Sequence, residues 1–278
     1  AMWLFVWNYA LVVFAFWLAA TWTNPLTIVI AILMLGARQL GFGVLVHECG
    51  HGTLFESKKL NQFMGDWFAA PPVLSNMKVY SDGHRKHHQL AGTHEDPDLG
   101  NYKDYPISKE RLQRKLWRDI SGKTGWRDVK SIGRATANFK KLKPELRSSL
   151  IKGWCFTITL FALTVAVGSP WLFLLWVAAF VVVNPLVSRI RQVGEHAAVP
   201  DLYDLDARLN TRTIRANLLE QIFICPLGIN YHLEHHILAS IPLYNLPLMH
   251  SMLTNNGFYN DVHFTNGYRN LYREVTAS

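Results

Sequence analysis

The chain has 278 residues, half of them hydrophobic, and 28 Lys and Arg against 20 Asp and Glu for a net charge of +8. That length allows one large domain or two small ones, but residues 1–37 and 153–188 contain no Asp, Glu, Lys or Arg, a segregation that excludes an ordinary soluble globule. Cys49, Cys155 and Cys225, odd in number and far apart, exclude a disulfide framework and a paired-thiolate metal motif; they fit reduced thiols.

In chain order, residues 3–22 are apolar apart from Asn8 and Thr21, and residues 26–46 nearly so. Each has the roughly 20 residues a helix needs to cross about 30 Å of hydrocarbon. Thr23-Asn24-Pro25 between them is a polar stop with a helix-starting proline, which predicts a tight hairpin outside the membrane. The first run is too long, and too directly followed by another span, for a cleaved signal peptide. It opens almost at Ala1, which leaves room for a soluble extension ahead of it. A second pair of spans is predicted at 153–167 and 171–188, joined by Gly168-Ser169-Pro170. Four spans put both termini on one side.

Residues 103–152 hold 15 Lys or Arg and 5 Asp or Glu, and the positive-inside rule makes that loop cytoplasmic. The cytoplasmic regions are then 47–152 and 189–278. The basic run reads first as lipid-headgroup contact and second as a docking surface for an acidic redox protein. No recognition module supports nucleic-acid binding. Residues 60–80, interrupted by Pro71-Pro72, read as interfacial, with Trp67 and Phe68 as candidate lining for an apolar tail. Residues 222–230, with Pro226 and Gly228, read as a short re-entrant or interfacial piece. The whole is expected to be an all-α integral membrane protein, a single domain over 1–278, with four transmembrane helices and a cytoplasmic helical cap.

Nine of the twelve histidines fall in three clusters and one outlier. His47 and His51 stand at i and i+4, where the second span leaves the membrane, and share a helix face. His84, His87 and His88 follow HxxHH, as do His232, His235 and His236, so each trio again shares one face. His196 begins just beyond the fourth span, on the same membrane side. Eight or nine imidazoles exceed the four ligands of a closed zinc site, so two metal ions are the economical inference. Imidazole suits iron, zinc, copper and nickel alike. Glu48, Glu195 and Glu234 lie within or beside the clusters, and Glu95, Asp96 and Asp98 follow the second. Such carboxylates commonly accept the other ring N–H of a metal-bound histidine. His94, His250 and His263 lack such company and read as ordinary hydrogen-bonded or solvated side chains.

His47-Glu48-Cys49-Gly50-His51 also spells HExxH, the zinc-protease signature. A membrane protease would need one further ligand and would leave both HxxHH clusters without a role. A metal carrier or transporter without turnover is a third class.

HECGH at His47, HRKHH at His84 and HLEHH at His232, in this order and separated by these spans, closely resemble the three histidine boxes of the membrane fatty-acid desaturase and hydroxylase family. The resemblance implies a cytosol-facing centre of two iron ions, molecular oxygen as oxidant, and electrons from a separate donor such as ferredoxin or cytochrome b5. It also implies a further ligand where His196 stands, and a polar water-binding residue where Gln192 stands. Zinc can take the place of iron in purified members. Three residues between the first two histidines resemble bacterial, cyanobacterial and plant lipid desaturases, and carotenoid ketolases and hydroxylases, more than the acyl-CoA branch. The implied reaction removes hydrogen from an unactivated C–H bond of an acyl chain, giving a double bond or an alcohol. Zinc lacks redox chemistry, so this is work for iron.

Overall fold

A computed structural model describes residues 1–277. Asn24 opens the first hairpin as the sequence predicts. Its side chain accepts from the backbone N–H groups of Leu26 and Thr27, and Thr27 answers with its hydroxyl to form a capping box, with Pro25 at the first helical position. On either side stand α1 (Met2–Thr21) and α2 (Pro25–His51). α2 outlasts its apolar stretch by one turn because nothing breaks it before Gly52. That residue ends the helix at φ +74°, a left-handed conformation that glycine adopts without penalty.

The chain then forms α3 (Lys58–Met64), α4 (Met77–Leu90), α5 (Lys109–Ile120), α6 (Lys123–Ala137), α7 (Pro144–Ala166), α8 (Leu172–Ala178) and α9 (Asn184–His196). α8 and α9 are continuous through a π-helical turn at Ala179–Val183. Short helices follow: α10 (Ala207–Asn210), α11 (Leu218–Phe223), α12 (His232–Ile237), α13 (Leu246–Asn255) and α14 (Gly267–Glu274). Among the described residues the only β pairing is two isolated bridges, Ile107 with Thr276 and Ile214 with Thr265.

Four of these helices are long and apolar enough to cross a membrane: α1, α2, α7 and the continuous Leu172–His196. The third starts nine residues earlier than its charge-free run, because Pro144 at its first position sets the helix going. The predicted interfacial piece at 60–80 is a succession of α3, a π turn at Gly65–Ala69 and a 3-10 turn at Pro71–Val73. Trp67 and Phe68 on it are exposed, with the Lys152 ammonium 4.6 Å from the Trp67 ring centre.

Contacts divide the chain into two units, and it passes between them within α4, α5 and α9. Unit one holds Ala1–Tyr80 and Trp117–Val187, and with them α1, α2, α7 and α8. Two amide side chains inside it donate to backbone carbonyls, since an unpaired donor is costly in an apolar medium. Asn8 donates to the Arg38 carbonyl at 3.1 Å, and Gln39 donates to the Trp176 carbonyl at 3.1 Å.

Unit two holds Ser81–Leu116 and residues 188–277. Its core gathers Tyr102, Ile107, Leu112, Val193, Ile214 and Leu271. Each of the aliphatic side chains contributes about 1.5–3 kcal/mol on burial. Val193 and its neighbour Ala197 thereby fix the end of α9, where Glu195 and His196 stand.

Candidate metal centre

Within unit two, the last turns of α4 carry His84, His87 and His88, α9 ends on His196, and α12 carries His232, His235 and His236. These seven imidazoles gather into two groups. His88 Nε2 lies 2.9 Å from His84 Nε2 and 2.9 Å from His235 Nε2. His196 Nε2 lies 3.2 Å from His87 Nε2 and 3.0 Å from His232 Nε2. The ring of His236 completes the second group, its centre 4.5 Å from that of His232 and 4.9 Å from that of His196. The groups adjoin, with the His88 and His236 ring centres 4.3 Å apart.

Each HxxHH box is therefore shared. On α4 the i, i+4 pair His84 and His88 goes to one group while His87 goes to the other. On α12 the pair His232 and His236 goes to the second group and His235 to the first. A helix turns 100° per residue, so positions i and i+4 diverge by about 40° and lie on one side, while i+3 lies about 60° to the other. One helical surface can thus serve two centres.

Hydrogen bonds on the far side of the rings decide which nitrogen faces inward. His196 Nδ1 donates to the Asn210 carbonyl at 3.0 Å, and a carbonyl can only accept. His87 Nδ1 donates to Asp96 Oδ1 at 2.9 Å. A neutral imidazole has a single N–H, so Nε2 of both rings presents a lone pair to the other. A proton would relieve one such contact; a cation would relieve all of them together. Ligands bound at about 2.1 Å and set at right angles stand about 3.0 Å apart, the separation found here. Burial pulls His232 and His236 well below the ordinary histidine range, and the neighbouring imidazoles add to the effect. Both stay neutral, the form that coordinates a metal. The second group therefore fits a metal ion held by nitrogen alone, a donor set open to iron, zinc, copper or nickel.

Carboxylates surround these rings. Burial works to raise the Asp96 carboxyl, but hydrogen bonds from His87 and the Tyr102 hydroxyl overcome it and leave it below the usual range. Asp98 is half exposed, its Oδ2 3.9 Å from His87 Nδ1. Glu195 Oε1 is 3.5 Å from His232 Nδ1 and accepts from Arg191 Nε at 2.5 Å. Glu234 is fully buried. It accepts from the Thr213 hydroxyl, from the Tyr259 hydroxyl at 2.8 Å and from His250 Nδ1 at 2.6 Å. Gln192 is exposed on α9.

In unit one, His47 and His51 end α2 with ring centres 4.7 Å apart. His47 Nδ1 lies 3.0 Å from Glu48 Oε1, which leaves Nε2 as its lone-pair nitrogen when that carboxylate is charged.

Residues 23–265 match the family model of the fatty acid desaturases. The chain belongs to the fatty acid desaturase family. Among curated relatives of this desaturase-family chain, dihydrorhizobitoxine desaturase of Bradyrhizobium elkanii is 27% identical over 81% of the chain and 66% of its own length. The sn-1 oleoyl-lipid 12-desaturase of a Synechocystis species is 24% identical over 80% of the chain and 66% of its own length. The sn-1 acyl-lipid omega-3 desaturase (ferredoxin) of the same organism is 28% identical over 73% and 60%. The chain thus spans about two thirds of the length of these relatives or slightly less.

Several groups that shape this desaturase-family centre carry no sequence signal. Tyr102, Asn210, Thr213, His250 and Tyr259 are single polar residues outside any ligand spacing. His250 in particular lies 14 residues beyond the third box, and only the packing of α13 brings it to Glu234. His94 stacks on Tyr203 with ring centres 4.2 Å apart, and His263 Nε2 lies 3.1 Å from Glu274 Oε1. Replacing His250 with Ala removes one of three donors to the carboxylate inside the third box. Metal affinity is expected to fall about tenfold, as read by competitive titration with a chromophoric chelator. Unchanged affinity would show that Glu234 needs no third donor.

Proposed function

We propose that this chain is a membrane di-iron desaturase that uses oxygen and external electrons to introduce a double bond into the acyl chain of a lipid. The observation that carries this reading is the pair of adjoining all-histidine groups in a chain of the fatty acid desaturase family. In this reading His87, His196, His232 and His236 hold one iron. His84, His88 and His235 hold the other together with His47 and His51, whose i, i+4 spacing suits the same task, with Glu48 backing Nδ1 of His47. Bound iron supplies the redox chemistry that imidazole and carboxylate lack.

The reaction balances when two C–H bonds on neighbouring carbons give up two protons and two electrons, the bonding pair left between the carbons forming the double bond. Two more electrons and two protons arrive from outside, and oxygen leaves as two waters. The protein's part is to hold ligand nitrogens deprotonated and aimed inward. Asp96 and the Asn210 carbonyl do so by occupying the outer nitrogens of His87 and His196. Burial of His87, His196, His232 and His235 keeps bulk water from the reacting carbons.

The basic segment ahead of α7 supports a site on the cytoplasmic side by the positive-inside rule. A small redox protein is the reductant this reading requires, and one relative carries ferredoxin in its name. A second substrate class is favoured by the relative named for dihydrorhizobitoxine where the others are named for lipids.

The test is turnover after iron reconstitution, with reduced ferredoxin and oxygen supplied and the lipids read by mass spectrometry. Loss of two hydrogens from an acyl chain is the expected result. Gain of one oxygen would move the chain to the hydroxylase branch, carotenoid hydroxylases and ketolases included. Peptide cleavage with zinc bound, or metal release without turnover, would overturn the proposal.

A further inference from the structure

Within unit one, the last turn of α5 and the whole of α6 carry a charge pattern that the metal chemistry does not use. Residues 117–143 contain eight Lys or Arg and two Asp. Arg118, Lys123, Arg127, Lys130 and Arg134 are exposed, and none has a carboxylate within 4 Å among the described residues. Large apolar side chains stand among them: Trp117 is 67% exposed, Trp126 55% and Ile120 44%. Lys123, Trp126 and Lys130 follow i−3, i, i+4, so an indole and two ammonium groups share one stripe of α6.

The other side of α6 is seated on the spans. A Cβ at Gly125 would lie 2.3 Å from the Val181 carbonyl oxygen and 2.5 Å from Val181 Cα; only glycine lets the two helices approach so closely. Thr136 near the end of α6 accepts from Trp154 Nε1 of α7 at 3.0 Å. Ile132 and Ala135 face Leu146 and Leu150 of α7 across a cleft of about 210 Å³. The cationic stripe is thus built directly on helices of membrane-crossing length.

We propose that residues 117–143 form an interfacial platform that binds anionic phospholipid headgroups, with the indoles of Trp117 and Trp126 at headgroup level. Cations alone would suit an acidic protein equally. Exposed indole rings and an isoleucine among them suit the boundary where one end of a side chain is apolar and the other wet. Basic residues beside spans attract anionic lipid at that depth.

The test uses the full chain in nanodiscs of phosphatidylcholine with a fixed fraction of brominated lipid, carried either by phosphatidylcholine or by phosphatidylglycerol. Tryptophan fluorescence is expected to be quenched more by the brominated phosphatidylglycerol, roughly twofold or more at low salt. The excess should vanish as salt is raised, a readout that needs no variant. It should also disappear in W117F/W126F and in K123Q/R127Q/K130Q/R134Q. Equal quenching by the two lipids in the unaltered chain, or an excess that survives W117F/W126F, would overturn the proposal. So would a four-glutamine variant that keeps the lipid excess but loses reduction by an acidic ferredoxin, since that outcome assigns the stripe to a protein partner.

Discussion

With the proposed di-iron desaturase activity as readout, His87→Ala and His235→Ala are each expected to lower turnover by more than about 100-fold, the largest loss that changes outside the ligand shell commonly produce. The chain should stay in the membrane, because the four long apolar helices are untouched. The two variants should differ in which ion they lose. His87 stands with His196, His232 and His236, whereas His235 stands with His84 and His88. Each should retain one of two irons, with different spectroscopic signatures for the ion left behind. Metal content by mass spectrometry and Mössbauer spectra of iron-loaded protein check this. Full turnover in either variant would contradict the ligand assignment.

Arg212→Ala is expected to have the next largest effect, although Arg212 touches no histidine ring in the contacts described above. Its guanidinium is buried against the end of α9 and donates to the carbonyls of Ala197 at 2.9 Å and Ala198 at 2.7 Å, with Gly194 at 3.4 Å. Its Nε stands 3.6 Å from Glu274 Oε2. Gly194 lies in the last turn of the helix that presents His196, and Ala197 and Ala198 follow directly after it, so the cation also meets the negative end of the helix dipole. Removal should cost about 3–5 kcal/mol, the range for breaking a buried charged contact. It should also weaken metal binding at the group containing His196 by about 10- to 100-fold. Arg212→Lys, which keeps the charge but loses the planar fork, should recover part of the stability. Thermal unfolding and metal titration separate the two effects, and a wild-type melting temperature in Arg212→Ala would refute the clamp.

Much of the architecture could be read from sequence because hydropathy is a one-dimensional property. Charge-free runs at 1–37 and 153–188 locate four long helices, and the structure moves only their ends. Pro144 starts α7 earlier, and the Gly52 break lets α2 run on to His51. The histidine spacing likewise announces a helical surface dense in imidazole. What spacing does not carry is the division of each box between two groups, because that depends on which rings another helix offers in return. Nor does it carry the contacts made by isolated residues. His250 and Arg212 acquire their places from the packing of α13 and of the segment after α9, and no periodicity marks either one. The basic run shows its charge in sequence, but the close seat at Gly125 appears only when α6 meets Val181.

The sharing of each box between two groups couples them mechanically. His87 and His88 are neighbours on α4, and so are His235 and His236 on α12, yet each neighbour serves a different group. A rotation of either helix away from its present orientation therefore misaligns both groups. An ion seated in the first group would therefore hold α4 and α12 in the orientation the second requires, which favours cooperative loading by thermodynamic linkage. By the same geometry, one inserted residue between His84 and His87 would swing the following rings through about 100° and disable both groups at once.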